Sequence, residues 1–178
     1  MSCGDDKSGC EAFKKNMLSD FTVEVEYLID MNGNPLTGSA VITKDDNLRL
    51  DIASPEPFSG ISVSCDAEGN PDVISLTYSG IKAEVPRAAM EKFVFLMNAM
   101  SESTACALDS QKKKSFLPNE ILADSSSGIL PYSVSFTHEN AEYSFTYDSL
   151  TSLPLEIRAE NENCKCEIKI IEFKAETE

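Results

Sequence analysis

Phe21-Thr22-Val23-Glu24-Val25-Glu26-Tyr27-Leu28-Ile29-Asp30, followed at once by Asn32-Gly33-Asn34-Pro35, decides how the rest of the chain is read. The odd positions of the first run are apolar and the even ones mostly polar, the two-residue period of a strand with one dry and one wet face. The Asn-Gly step that follows tolerates positive φ at two successive residues and closes a hairpin. Working outward, residues 38–43 form a second strand, and Leu48, Leu50 and Ile52 alternate with Arg49 and Asp51 in a third that ends at Pro55 and Pro57. Ile61-Val63-Cys65, Ile74-Leu76-Tyr78 and Ile81-Ala83-Val85 continue as an antiparallel meander, parted by the turn-rich stretch 66–71 and by Ser79-Gly80.

Pro86 marks a change of period. Ala89, Phe93, Leu96, Met97 and Met100 recur at spacings of three and four, which predicts one long helix over 87–103, and Met90, Val94 and Phe95 widen its apolar stripe beyond a single contact line. A short amphipathic helix is predicted over 10–19 from Phe13, Met17 and Leu18 among Lys14, Lys15 and Asn16. From 102 to 127 the chain turns polar, with Lys112-Lys113-Lys114 and Ser125-Ser126-Ser127-Gly128, and reads mostly as solvated loop. Alternation then returns in Tyr132-Val134-Phe136, Tyr143-Phe145-Tyr147, Leu153-Leu155-Ile157 and Cys164-Cys166-Ile168-Ile170.

An exposed Phe, Leu or Ile forgoes roughly 1.5–3 kcal/mol of burial, so the greasy face of so large a sheet needs cover. No second sheet's worth of sequence is present, and a twisted sheet of this many strands curls. The fold expected is therefore mainly β (α+β): one large curved antiparallel sheet, an unclosed half-barrel covered by the long helix and a short N-terminal one. The length of 178 residues fits a single domain. With 30 acidic residues against 15 basic ones, the net charge of −15 repels phosphate backbones, and no nucleic-acid partner is expected.

The start, Met1-Ser2-Cys3-Gly4-Asp5-Asp6-Lys7-Ser8-Gly9, has a cysteine followed by small polar residues. Two readings stand side by side. In one, residues 1–9 are a flexible tether whose Cys3 is the lipidation candidate, as in a bacterial lipoprotein after signal cleavage, with 10–178 as the single folded domain. In the other, Cys3 is an exposed thiol. Without Cys3, the cysteines at 10, 65, 106, 164 and 166 are odd in number, so at least one is a free thiol or pairs with another chain. Cys164 and Cys166 point to one face of a strand, either toward a common partner or into the core.

Catalytic chemistry finds little support. The chain has one histidine, His138, placed where a hairpin is expected to turn. Neither G-x-S-x-G nor H-E-x-x-H occurs, and Ser79-Gly80-Ile81-Lys82 lacks the companion motifs that give S-x-x-K its meaning. Asp30-Met31-Asn32-Gly33-Asn34 imitates the opening of a calcium loop, but Pro35 stands where glycine is required, and no glutamate occupies the twelfth position. Asp45-Asp46 reads as a solvated turn. No catalytic residue, metal or cofactor is therefore expected.

Residues 38–44, then Asn47-Leu48-Arg49-Leu50-Asp51-Ile52 and Ser54-Pro55, resemble the early strands of the bacterial lipoprotein-carrier superfamily, the LolA/LolB-like proteins. Tyr143-Ser144-Phe145-Thr146-Tyr147-Asp148, Leu153-Pro154-Leu155-Glu156-Ile157 and Ile168-Lys169-Ile170-Ile171-Glu172-Phe173 resemble that family's closing hairpin. One departure is Asp45-Asp46, where the carriers place an arginine before the Asn-Leu step. The resemblance implies an unclosed barrel holding acyl chains. Together with the tether and the acidity, it implies a non-enzymatic extracytoplasmic lipoprotein of Gram-positive type, anchored to the cell membrane through its N-terminal lipid. Its ligand would be a hydrophobic small molecule or lipid. Candidate lining residues are Phe21, Val23, Val25, Leu48, Leu50, Tyr78, Phe93, Met97, Met100, Tyr132, Phe136 and Phe145; the methionines among them suit varied apolar shapes. The alternative is a protein–protein interaction module of the same fold with a filled core, recruiting an envelope partner in envelope or spore processes.

Overall fold

The two-residue period of the opening strand is realised along its whole length. In the computed structural model, which describes residues 5–65, 73–108, 115–118, 128–138 and 140–176, β1 (Phe21–Met31) buries Phe21, Val23, Val25, Tyr27 and Ile29 and exposes Glu24 and Glu26. Asn32 and Gly33 both take positive φ, 55° and 76°, and return the chain into β2 (Asn34–Lys44). The meander continues through β3 (Leu48–Ser54), β4 (Ile61–Cys65), β5 (Val73–Tyr78) and β6 (Ile81–Pro86). A second one runs from β7 (Ser115–Pro118) through β8 (Pro131–His138), β9 (Ala141–Asp148) and β10 (Pro154–Glu160) to β11 (Cys164–Ala175). Antiparallel pairing of β1 with β11 fuses the two into one eleven-stranded open sheet, ordered β6-β5-β4-β3-β2-β1-β11-β10-β9-β8-β7. The expected half-barrel with two helices is thus the observed architecture. No helix among the described residues is long and apolar enough to cross a membrane.

Two helices cover the apolar face. Helix α1 (Asp5–Leu18) places Phe13 in stacked contact with Phe145 and Tyr147, at ring-centroid distances of 4.6 and 5.2 Å. The Lys44 ammonium donates to the carbonyls of Leu18 and Ser19 at 3.1 and 3.2 Å, satisfying C-terminal groups that an α-helix leaves open. Helix α2 (Glu91–Leu108) packs on α1 and spans β1, β3 and β9–β11. Its Phe93 makes T-shaped contacts with Tyr27 and Phe58, at ring-centroid distances of 6.2 and 5.3 Å.

Four details depart from the periodicity. The first helix begins at Asp5, inside the stretch 1–9. The second opens with a 3-10 turn, Arg87–Met90, because Pro86 is extended and no side chain caps the helix start; tighter bonding then satisfies part of the first turn. It runs on to Leu108, since the hydroxyls of Ser103 and Thr104 donate back to the carbonyls of Ala99 and Met100 and so remain compatible with the helix. Within the region expected to be mostly loop, 115–118 is strand β7; Lys112–Lys114 and Ser125–Ser127 lie outside the described residues.

Two bulges account for the remaining differences. The pairing of Glu24 with Glu172 and Val25 with Ile170 leaves Ile171 as an extra residue, exposed, so that Ile170 and Phe173 both face inward. Leu155 is likewise extra in β10, and the expected common face of Leu153, Leu155 and Ile157 is broken: Pro154 and Ile157 are buried while Leu153 is exposed.

At the end of β9 a buried carboxylate holds the turn into β10. Asp148 Oδ1 accepts from the N–H groups of Leu130 and Leu150 at 3.0 and 3.2 Å, and Oδ2 accepts from the Thr151 N–H and hydroxyl at 3.3 and 2.7 Å. Burial alone would raise its pKa, but these donors outweigh it and hold the carboxyl below its ordinary value. A lowered folded-state pKa gives stability that is present above the carboxylate range and lost as pH falls through the folded value. Asp148→Asn is therefore expected to cost about 2–3 kcal/mol at neutral pH. In urea denaturation followed across pH, the gap from wild type should narrow below about pH 4.

Candidate functional site: the end of the half-barrel beside the 3-10 turn

The 3-10 turn and the first turn of α2 bridge one end of the sheet, next to the β1–β2 turn. Two clefts flank this bridge. One, of about 490 Å³, has Met31, Val94, Phe95 and Cys164 for its apolar wall and Asn32, Arg87, Glu91, Asn98, Asn161 and Asn163 around it. The other, about 340 Å³, is walled by Leu36, Phe58, Met90 and Phe93. Met31, Ala88 and Glu91 border both. Volumes of this size fall within the roughly 300–1,000 Å³ of small-molecule sites.

Backbone and side-chain bonds hold the rim in shape. The Asn32 N–H donates to the Asn163 carbonyl at 2.8 Å, joining the β1–β2 turn to the β10–β11 turn. Asn161 Oδ1 accepts from the N–H groups of Asn163 and Cys164 at 2.9 and 2.8 Å, an Asx-type turn. The Lys92 ammonium donates to the Asn34 carbonyl and pins α2 to the same hairpin. Arg87 Nη2 donates to Asn98 Oδ1 at 3.2 Å.

Most of the residues expected to line a cavity come together in the buried interior. Phe21, Val23, Val25, Leu50, Phe93, Met97, Met100, Phe136 and Phe145 are each at most 5% exposed and belong to one cluster. Leu48 and Tyr132 pack against it, partly buried. Tyr78, at the end of β5 beside the turn into β6, stands apart and is 56% exposed. Of the expected residues only Phe93 also borders the end clefts. Sequence reasoning missed Met31, Ala88, Asn98 and Asn163, which come from separate segments; only Asn163, an asparagine in a turn, carried any signal.

Cys164 and Cys166 both point inward, opposite Met31 and Ile29 of β1, and their thiols are free, as is that of Cys65. Burial pushes Cys164 up to about 11, with Glu91 and Asp30 adding to it; burial likewise pushes Cys166 up, beside Cys164 and Glu167. The pair thus follows the core reading. Cys3 lies outside the described residues, as do the side chains of Cys10 and Cys106. His138 is not out in a turn: it ends β8, with Nε2 3.7 Å from Glu102 Oε2 on α2, and stands between strand and helix. Asp45 keeps its expected turn role, its carboxylate accepting from the Asn47 N–H at 2.9 Å. Among the described residues, no group of three or more metal-ligating side chains gathers.

No protein-family model matches the chain, and no curated protein sequence does. Among solved structures it is similar to LprF from Mycobacterium bovis, at 9% identity and TM-score 0.49 over 99% of this chain and 96% of that one. A DUF1329 family protein from Desulfovibrio piger is 14% identical, TM-score 0.43, over 96% and 93% of the two chains. A LolA superfamily protein from Nitrosomonas europaea is 9% identical, TM-score 0.43, over 97% and 94%. At such values no function passes from those proteins to this chain.

Proposed function

We propose that the chain is a non-enzymatic, extracytoplasmic lipoprotein that binds a hydrophobic ligand, an acyl chain or lipid, through the end of its half-barrel beside the 3-10 turn. The observation that carries this reading is the pair of clefts meeting over Met31, apolar within and polar at the rim, next to an interior walled by Phe93, Met97 and Met100. Unbranched methionine side chains re-pack at low cost when a chain enters beside them. The polar rim suits the head of an amphiphile. Cys3 carries the anchoring lipid in this reading, and the tether of 1–9 leads into the binding domain of 10–178 through helix α1, which begins at Asp5.

The test is native mass spectrometry of the full chain after incubation with palmitate and, separately, phosphatidylglycerol. An adduct of ligand mass, removed by organic extraction, is expected. Ala88 is exposed and borders both clefts, so Ala88→Trp fills them without entering the core. This variant should bind about tenfold more weakly, a loss of about 1.4 kcal/mol, at an unchanged melting temperature. A bare mass with both amphiphiles would overturn the proposal. It would favour instead the interaction module of the same fold.

A further inference from the structure

Among the described residues, the outer edge of β6 has no strand beside it, since β6 ends the sheet. An open edge offers a row of main-chain donors and acceptors to another strand. Its residues are Ile81-Lys82-Ala83-Glu84-Val85-Pro86, with Ile81, Lys82, Ala83 and Glu84 all exposed. The other end strand of the sheet, β7, is only four residues long and ends at Pro118, which has no N–H to donate.

The β5–β6 hairpin turns through Ser79 and Gly80, both at positive φ (49° and 79°), and pairs Tyr78 with Ile81. In a two-residue hairpin this first pair exchanges both hydrogen bonds, and the ladder alternates from there. Ile81, Ala83 and Val85 therefore direct their main-chain groups to β5, while those of Lys82 and Glu84 point outward. The side chains of Lys82 and Glu84 lie on the wet face, and those of Ile81, Ala83 and Val85 on the face that holds Tyr78 and Leu76.

We propose that β6 is a homodimer edge: a second copy of this chain pairs with it antiparallel about a two-fold axis at Ala83. In that register Lys82 lies opposite Glu84 of the second copy and Glu84 opposite its Lys82, two opposite-charge cross-strand pairs. The same two pairs are the hydrogen-bonded ones, so all four outward N–H groups and carbonyls find partners. Ile81 meets Val85 on the apolar face, and Ala83 meets its own copy. Moving the axis to Lys82 or to Glu84 sets like charges face to face. Moving it by half a residue joins the dry face of one sheet to the wet face of the other. The strand's own charge pattern thus selects both the partner and the register, and the contact is isologous.

Charge exchange tests this, because these positions are exposed and tolerate substitution. Sedimentation of the full chain over a concentration series should show a monomer–dimer equilibrium. Lys82→Glu, which sets two carboxylates face to face, should weaken it by tenfold or more, whereas Lys82→Glu combined with Glu84→Lys restores the opposite-charge pairs and should restore association. Ala83→Cys places two thiols at non-hydrogen-bonded partners, about 4.5 Å apart at Cα, within disulfide reach. Mild oxidation should give a covalent dimer whose digest contains two copies of the β6 peptide joined through the introduced thiols. A monomer at all concentrations, together with the absence of that cross-linked peptide, would overturn the proposal. So would a dimer that both charge variants leave unchanged.

Discussion

Met97→Asp is expected to leave the chain without a cooperative unfolding transition. Met97 is 1% exposed, in one apolar cluster with Phe93, Leu96 and Met100 from its own helix and residues of both meanders. A carboxylate there loses its water. Burying an unpaired charge costs at least about 4–5 kcal/mol, against the roughly 5–15 kcal/mol that holds a domain together. Met97→Leu, which nearly conserves volume, should cost less than about 1.5 kcal/mol and serves as the control. Far-UV circular dichroism and urea denaturation read both. A folded Met97→Asp with an unchanged midpoint would mean that water reaches this side chain and that the interior is hollow.

Gly38→Ala should come close in severity, for a different reason. Gly38 lies opposite Tyr27 across β1–β2, where a Cβ would stand 2.1 Å from the Ser54 carbonyl oxygen, 2.6 Å from the Tyr27 hydroxyl and 2.8 Å from Pro55 Cδ. The missing side chain leaves room for the 2.7 Å hydrogen bond that Tyr27 donates to that carbonyl. One added methyl therefore forces backbone apart and breaks the bond, a loss of about 3–4 kcal/mol measured by urea denaturation. Tyr27→Phe removes only the hydroxyl and should cost about 1 kcal/mol. The double variant should stay close to Gly38→Ala, because the clash with the Ser54 carbonyl persists. Burial pushes the Tyr27 phenol up to about 12. Its folded pKa lies above the unfolded one, so its contribution is intact below about pH 10 and fades as pH rises toward the folded value.

Most strands were legible because one wet and one dry face impose a period of two, and Asn32-Gly33 and Ser79-Gly80 mark their hairpins without ambiguity. The bulges at Ile171 and Leu155 were not, since an apolar residue in an apolar run does not announce that it has no partner. Strand β7 was missed inside polar sequence, where pairing to β8 supplies what local propensity does not. The candidate interior was recognised as apolar, residue by residue, but whether it is hollow depends on volumes summed over distant segments. Phe13 shows this: read only as one apolar position of a short helix, it stacks on Phe145 and Tyr147 inside that half of the barrel. The end clefts were invisible for the same reason, being assembled from the β1–β2 turn, the 3-10 turn, α2 and the β10–β11 turn.

The pairing of β1 with β11 also governs how the molecule comes to be. Phe21 lies opposite Ala175, so the sheet's central seam joins segments far apart in sequence. During synthesis the first meander emerges whole, hairpin by hairpin, through contacts local in sequence. Its innermost strand, however, keeps one flank unmatched until Cys164–Ala175 have been made. Pairing across such a separation pays its loop-closure entropy in advance and is slow. For that interval the nascent chain carries an apolar, open-flanked strand at the centre of its future core, the kind of species that chaperones hold. Strand β11 is thus the one that commits the two halves to a single cooperative unit.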